Sequence, residues 1–288
     1  MSILKKFILK LFKPIISDLE NIHSIIQINQ SISRASAGNV RILDSARPLT
    51  WEFSGFSQNG EDGIIDYLCS KLTETNKYFI EIGCSNGIEN NTAFLAFVKK
   101  YSGLWIDGDQ EEIKKAQKVL PFYVRISQLF VNQSNLKQLD ALALFKNPDV
   151  LSLDIDGNDY YILKLLLENG YKPKIIIVEY NSAYGPEKSM TIKYDENFNM
   201  YKSKFPFLYY GVSIRGWQNL LNNFNYKFIT VESNGVNAFF VDASCYDEDF
   251  LSKIEGVNFN ENIHQRNYFR KPWQSQFEIM EKEEFEII

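Results

Sequence analysis

Histidine and cysteine are scarce in this chain: two histidines, His23 and His264, and three cysteines, Cys69, Cys84 and Cys245, in 288 residues. With no CxxC spacing and no histidine cluster, neither a zinc site nor a disulfide framework is expected, and reduced thiols point to a cytoplasmic setting. Basic charge is not in excess either. The 31 Lys and Arg stand against 36 Asp and Glu, a net charge of −5 with a pI near 5.3, so no nucleic-acid partner is expected, because phosphate backbones are held by concentrated positive charge. The N-terminal run MSILKKFILKLFKPII is too short, and too often broken by Lys5, Lys6, Lys10 and Lys13, to span a bilayer. Those lysines also interrupt the apolar core of a signal peptide, and no small-residue cleavage site follows closely. Two readings of this run stay open: a basic amphipathic helix peripheral to the inner face of a membrane, or a helix packed on the domain or on a second copy in a homo-oligomer.

The chain also lacks GxGxxG and the Lys-Ser/Thr of a phosphate loop. It has instead FIEIGCSNG at Phe79–Gly87, a short apolar strand running into a turn with Glu81, Gly83 and Gly87 at fixed offsets. Glycine can take backbone conformations closed to other residues and lets a ligand approach the main chain, and a following helix would aim free N–H groups at the turn. This is the shape of a nucleotide-cofactor cradle, without the spacing for a dinucleotide or a triphosphate.

With 45% hydrophobic residues, the chain is long enough for one α/β domain with a full core plus appendages. Residues 1–50 read as helix followed by irregular chain, with the polar run NQSISRASAGN marking a break. From Trp51 onward, helices alternate with apolar strands. Helices are expected at Glu61–Leu72, Asn90–Lys100, Gln110–Val119, Asn135–Phe145, Tyr160–Glu168 and Val212–Phe224. Strands are expected in KYFIEIG, SGLWIDGD, Phe122–Arg125, DVLSLDIDG and PKIIIVEYN. Such alternation with short turns predicts a parallel sheet covered on both faces, with ligands beyond the carboxyl ends of the strands. YKFITVES and VNAFFVDAS, separated by Asn234-Gly235, read as a closing hairpin. The domain is placed at 51–245, with a C-terminal extension at 246–288.

Acidic residues fall at the carboxyl ends of four expected strands: Glu81, Asp107 or Asp109, Asp154 with Asp156, and Glu179. They converge on the ligand edge of the sheet. A carboxylate at the end of the second strand suits the hydroxyls of a ribose, which is the role expected of Asp107. LDIDGND begins like a calcium loop, but no Glu occupies the twelfth position and an apolar helix follows at once, so an EF-hand is excluded.

Taken together, FIEIGCSNG, LWIDGD, DVLSLDIDGNDYYIL and IIIVEYN resemble a class I S-adenosylmethionine-dependent methyltransferase, most similar to the FkbM-like group, over roughly Phe56–Asp242. The resemblance implies a Rossmann-like, mostly parallel seven-stranded sheet with an antiparallel last strand. It implies that Glu81 and Gly83 line the methionine side of the cofactor and Asp107 its ribose, with Ser85 and Gly87 of the same turn also binding the cofactor; by their place at the strand end, Asp154 and Asp156 face the point where a sulfonium and an acceptor would meet. FSQNGEDGIIDYL resembles a leader in which Ser57, Gln58 and Glu61 help close the cofactor site; read locally, it is an ordinary helix start with Asn59 as cap. Asp154, Glu179 and Asn181 resemble the ligands of metal-dependent O-methyltransferases, where magnesium binds the acceptor oxygens, although Tyr180 intervenes where that group places Asp-Asn together.

Methyl transfer needs a base beside the acceptor hydroxyl; Asp154 or Asp156 is the candidate, with His264 next. Cys84 has no nearby histidine to activate it and reads as a small buried residue. The long connection after Asn181 is either a lid or a disordered insert, and its aromatic residues favour an ordered acceptor loop. Tyr180, Tyr184, Tyr194 and Tyr201 suit sugar rings or fill the core. The resemblance, together with this aromatic loop, implies a small molecule or glycan as acceptor, its hydroxyl methylated in the course of polysaccharide biosynthesis. A nicotinamide-dependent oxidoreductase would share the sheet and Asp107 but needs glycines that are absent, and a non-catalytic scaffold would explain the imperfect metal motif.

Overall fold

A computed structural model describes residues 22–37 and 40–288. The lysine-rich run at 1–16, with the membrane and second-copy contacts expected of it, lies outside the described residues. Among the described residues no helix is long and apolar enough to cross a membrane.

The core is a seven-stranded sheet in the order β3-β2-β1-β4-β5-β8-β7. Its strands are β1 (Tyr78–Ile82), β2 (Ser102–Asp107), β3 (Val124–Gln128), β4 (Val150–Leu153), β5 (Ile175–Glu179), β7 (Tyr226–Val231) and β8 (Asn237–Asp242). Neighbours from β3 to β5 pair in parallel, while β8 runs antiparallel to both β5 and β7. This is the expected mostly parallel sheet with its reversed last strand. Every residue of β1 and β4 is buried, because strand side chains alternate and both faces are covered by helices. Ile80, Leu104, Leu151 and Ile176 enter one core with α5 (Gln138–Leu142), α6 (Asp159–Glu168) and α7 (Ile214–Asn223). Phe79, Trp105, Val150 and Ile177 enter the other with α2 (Glu61–Ser70), α3 (Ala93–Phe97) and α4 (Gln110–Val119).

The hairpin expectation holds. Asn234-Gly235 lies between β7 and β8, and Gly235 has φ +73. A Cβ there would come within 2.6 Å of the Glu261 backbone, so the C-terminal chain passes directly over the turn. The break expected in NQSISRASAGN is not where the polar residues suggest. Residues 22–37 form helix α1, and Ser31 and Ala35 are buried against Gly55, where a Cβ would sit 2.9 Å from Ala35 Cβ. The small side chains are there for close approach, which local polarity does not reveal.

Two further departures concern the chain after β5. Strand β6 (Met190–Ile192) pairs antiparallel with β9 (Phe285–Ile287), so the end of the chain is stitched to the middle of the long connection. The helices α8 (Glu248–Ser252), α9 (Ile263–Phe269) and α10 (Trp273–Met280) occupy the stretch between. Tyr184, Met190, Leu208 and Met280 form a small core of their own, which orders the connection.

The leader before α2 is organised by one buried residue. Asp62 accepts hydrogen bonds from the backbone N–H of Gly55 (2.7 Å), Phe56 (2.6 Å) and Ser57 (3.2 Å), while its own N–H donates to Ser57 Oγ. This, rather than a side-chain cap at Asn59, starts α2; the capping position is Gly60. Replacing Asp62 with Ala would leave those donors buried and unpaired, and urea unfolding is expected to show a loss of about 3 kcal/mol.

Candidate functional site

The parallel strands β1, β2, β4 and β5 end on one edge, and a cavity of about 1250 Å³ opens there. Its wall includes Glu61, Glu81, Glu89, Asp107, Asp109, Glu112, Asp154, Asp156 and Glu179, nine carboxylates. No lysine or arginine stands among the described residues that line it. Gln58, Gly83, Ser85 and His264 line it as well, so most of the residues singled out from the sequence share this one space.

The turn after β1 is built for close approach. Gly83 has φ +94, and a Cβ there would lie 1.6 Å from the Asp154 carbonyl oxygen, so the ends of β1 and β4 touch through backbone. The Gly83 and Cys84 N–H groups both donate to Ile106 O, and the Ser85 N–H donates to Asp107 Oδ2 at 2.8 Å. Asp107 is thereby fixed over the turn with its oxygens at the cavity. Asp109 is committed elsewhere: its side chain caps α4 by accepting from Glu111 N and Glu112 N. Gly87 is different from the expectation. It does not line the cavity; a Cβ there would meet Ala116 Cβ at 2.9 Å, so this glycine lets α4 pack against the turn from behind. Cys84 is buried, and its thiol is pushed up by burial, which leaves it inert.

Glu81 sits at the cavity wall but is 2% exposed. It accepts from Asn91 N (2.9 Å), Thr92 N (3.1 Å) and the Thr92 hydroxyl. Asn91 and Thr92 are used to hold this carboxylate, while Asn90 donates to Cys84 O and accepts from Thr92 N, and α3 begins at Ala93 rather than Asn90. Burial pushes Glu81 up to about 7, against the pull of those donors.

Beyond β4 and β5 the carboxylates of Asp154, Asp156 and Glu179 place oxygens within 4.8 Å of one another. Burial and then mutual repulsion hold Asp154 and Glu179 well above the usual carboxylate range. Asp156 is raised to about 6 by burial and by the charges of Asp159 and Asp107. It adopts φ +55 in a turn fixed by Asp159, which accepts from Ile155 N and Gly157 N. Glu179 accepts from the Tyr210 hydroxyl at 3.1 Å.

Asn181 does not join this cluster. Its amide donates to the Leu208 and Tyr210 carbonyls, and its oxygen accepts from Ala183 N. The side chain is consumed in fixing the chain after β5, and Asp156 takes the place expected of it. Tyr180 and Tyr184 are wholly buried, and the Tyr194 hydroxyl accepts from Gln133 N; of the expected aromatic set only Tyr201 reaches the cavity. His264 stands at the exposed rim on α9.

Among the lining residues not foreseen are Tyr210, Gln265 and Asn237. Gln265 accepts from Ser182 Oγ and donates to Phe207 O, a contact between distant parts of the chain with no local signature. Asn237 is the first residue of β8 and pairs across from Glu179, so the hairpin pattern did carry a signal for it.

No family model matches the chain, and no curated protein matches it. Among solved structures it is similar to an O-methyltransferase from Bacillus cereus in complex with SAH, at 13% identity over 74% of this chain and 88% of that one, TM-score 0.41. It is similar also to the plantazolicin methyltransferase BpumL with a desmethyl analogue and SAH, at 18% identity over 74% and 78%, TM-score 0.39. A third similar structure is a fibrillarin/Nop5p complex, at 12% identity over 62% and 78%, TM-score 0.36.

The raised Glu81 has a consequence for stability. Its folded value near 7 exceeds the ordinary 4.5, so the folded state holds the proton more tightly. The stabilisation is full below about pH 4.5 and is lost as pH rises through about 7. Melting temperature is expected to fall between about pH 5 and about pH 8, and Glu81→Gln should flatten that slope.

Proposed function

We propose that the chain is an S-adenosylmethionine-dependent O-methyltransferase, of the FkbM-like kind, acting on a hydroxyl of a sugar or glycan-linked acceptor in the cytoplasm. The observation that carries this reading is the position of Asp107. It lies at the carboxyl end of β2, bonded to the Gly83–Ser85 turn, on a cavity above a sheet whose last strand is reversed. A carboxylate there accepts two hydroxyl donors of a ribose, and a wall of carboxylates without cations suits a positively charged sulfonium. The volume exceeds that of pockets serving one drug-sized ligand, which leaves room for cofactor and acceptor together.

When bound, the cofactor supplies an electrophilic methyl group on sulfur. The chain's own residues hold and deprotonate the acceptor. Asp156, raised to about 6, is near the value at which a base is both free and effective around neutrality, and Asp154 lies beside it to share the proton. Asp154, Asp156 and Glu179 also fit a magnesium ion, which takes oxygen ligands from carboxylates and would acidify a bound hydroxyl. The run at 1–16 is the part suited to touch an anionic membrane or a second copy.

Calorimetric titration tests the cofactor. Saturable binding of S-adenosylmethionine and S-adenosylhomocysteine is expected, weakened about tenfold or more in Asp107→Ala as the charged hydrogen bonds are lost. Binding of NAD alone would contradict the reading. For the metal, magnesium is expected to raise the melting temperature of the wild type, as any ligand of the folded state does, and to leave Asp156→Asn unshifted.

A further inference from the structure

The half of the cavity beyond β5 carries three aromatic side chains, Tyr201, Phe207 and Tyr268, to which the proposed chemistry gives no part. Tyr201 meets Phe207 at 5.3 Å with the rings at 89°, and Phe207 lies 5.6 Å from Tyr268 at 58°. Tyr201 and Tyr268 are 64% and 69% exposed. Rings of this size usually bury most of their area, so an exposed row at a cavity mouth marks a place where a ligand binds.

The row is held from beneath. Tyr201 and Phe207 belong to the long connection after β5 and Tyr268 to α9; the buried Gln265 of α9 ties the two together by donating to Phe207 O at 3.0 Å. The connection is also anchored to the turn that carries Asp156. The Asn158 amide donates to Asp195 O at 2.7 Å, and a Cβ on Gly157 would lie 2.4 Å from the Phe198 ring. The Tyr201 hydroxyl is raised by partial burial and by the charges of Asp156, Asp154 and Glu179, which places this ring beside the carboxylates, while Tyr268 is separated from it by Phe207. Tilted against one another, the rings offer two separate open faces, on Tyr201 and on Tyr268, rather than one flat platform. A ligand that covers both needs at least two rings of its own.

We infer that the acceptor is an oligosaccharide of two or more units, with the unit to be methylated on Tyr201 and the next unit on Tyr268. A sugar ring suits both positions because it presents a face of C–H bonds to an aromatic ring while its hydroxyls stay in water. The tyrosines show the same division, an apolar body with a wet tip. A nucleic-acid strand also stacks on aromatic rings, but it needs a basic groove, and no lysine or arginine stands among the described residues lining this cavity. The inference rests on the methyltransferase reading and narrows its acceptor from any sugar to a chain of sugars.

The test is an array of uncharged mono- to tetrasaccharides probed with the full chain loaded with S-adenosylhomocysteine; uncharged sugars keep the carboxylates out of the comparison. Glycans of two or more units are expected to bind about twofold to tenfold more tightly than single units, the gain of one added ring contact. Tyr268→Ala, at an exposed position that spares the fold, should erase that gain, and Tyr268→Phe, which keeps the ring, should retain it. Tyr201→Ala should weaken single units and longer glycans alike. Equal binding of single units and longer glycans, a length dependence that survives Tyr268→Ala, or no binding of any glycan by the loaded chain would overturn the inference while leaving the cofactor reading intact. Failure of S-adenosylhomocysteine to bind in the loading step would instead remove the reading beneath it.

Discussion

The arrangement of this protein turns on one electrostatic constraint: parallel strands deliver Glu81, Asp154 and Glu179 to the same edge of a sheet. Parallel pairing fixes their register, so like charges meet at one cavity wall, with Glu81 buried and Asp154 and Glu179 half-buried. The structure relieves this in different ways at each strand. Glu81 is satisfied by the backbone of residues 91 and 92 and becomes part of the frame. Asp154 and Glu179 are left with each other, Asp156 and a tyrosine hydroxyl. A frame carboxylate and a carboxylate cluster thus arise from one topology, separated only by what the following loop offers as donors.

The loops after the strands complete the division. After β1 the turn closes on β2 through Asp107, giving a small rigid cradle. After β5 the connection is long, and it holds its shape because the end of the chain adds β9 to β6 and α10 packs beneath. Asn181 belongs to this second system: bonded to Leu208 and Tyr210, it anchors the connection. Tyr210 in turn reaches Glu179. The half of the cavity beyond β5 is therefore assembled from residues far apart in the chain, the half at the Gly83–Ser85 turn from one strand-turn-helix unit and its neighbour.

That difference explains what was legible in the sequence. Strand and helix alternation, the reversed strand and the acidic strand ends follow from local patterns, and the sheet has them as read. Asp107, Gly83 and Asp154 stand together because neighbouring parallel strands end level. What local pattern does not contain is which atoms a side chain spends elsewhere. Asn181 looked like a ligand, and Gly87 like part of the cradle, because their neighbours are; only packing shows that one is an anchor and the other a spacer for α4. The helical run through Ser31 and Ala35 was hidden because small polar residues signal a break locally, and close contact with Gly55 only in three dimensions. The β6–β9 pairing was out of reach for a similar reason: each strand is three residues long, shorter than any alternation can mark.

The central claim is that the cleft between the Gly83–Ser85 turn and the Asp154–Glu179 cluster holds a nucleoside cofactor by its ribose and points its sulfur at the carboxylates. A crystal structure with S-adenosylhomocysteine tests this most directly. The account predicts the ribose hydroxyls on Asp107 and the sulfur facing Asp154 and Asp156. A ligand bound elsewhere, or reversed so that its amino-acid end lies on Asp107, would contradict it.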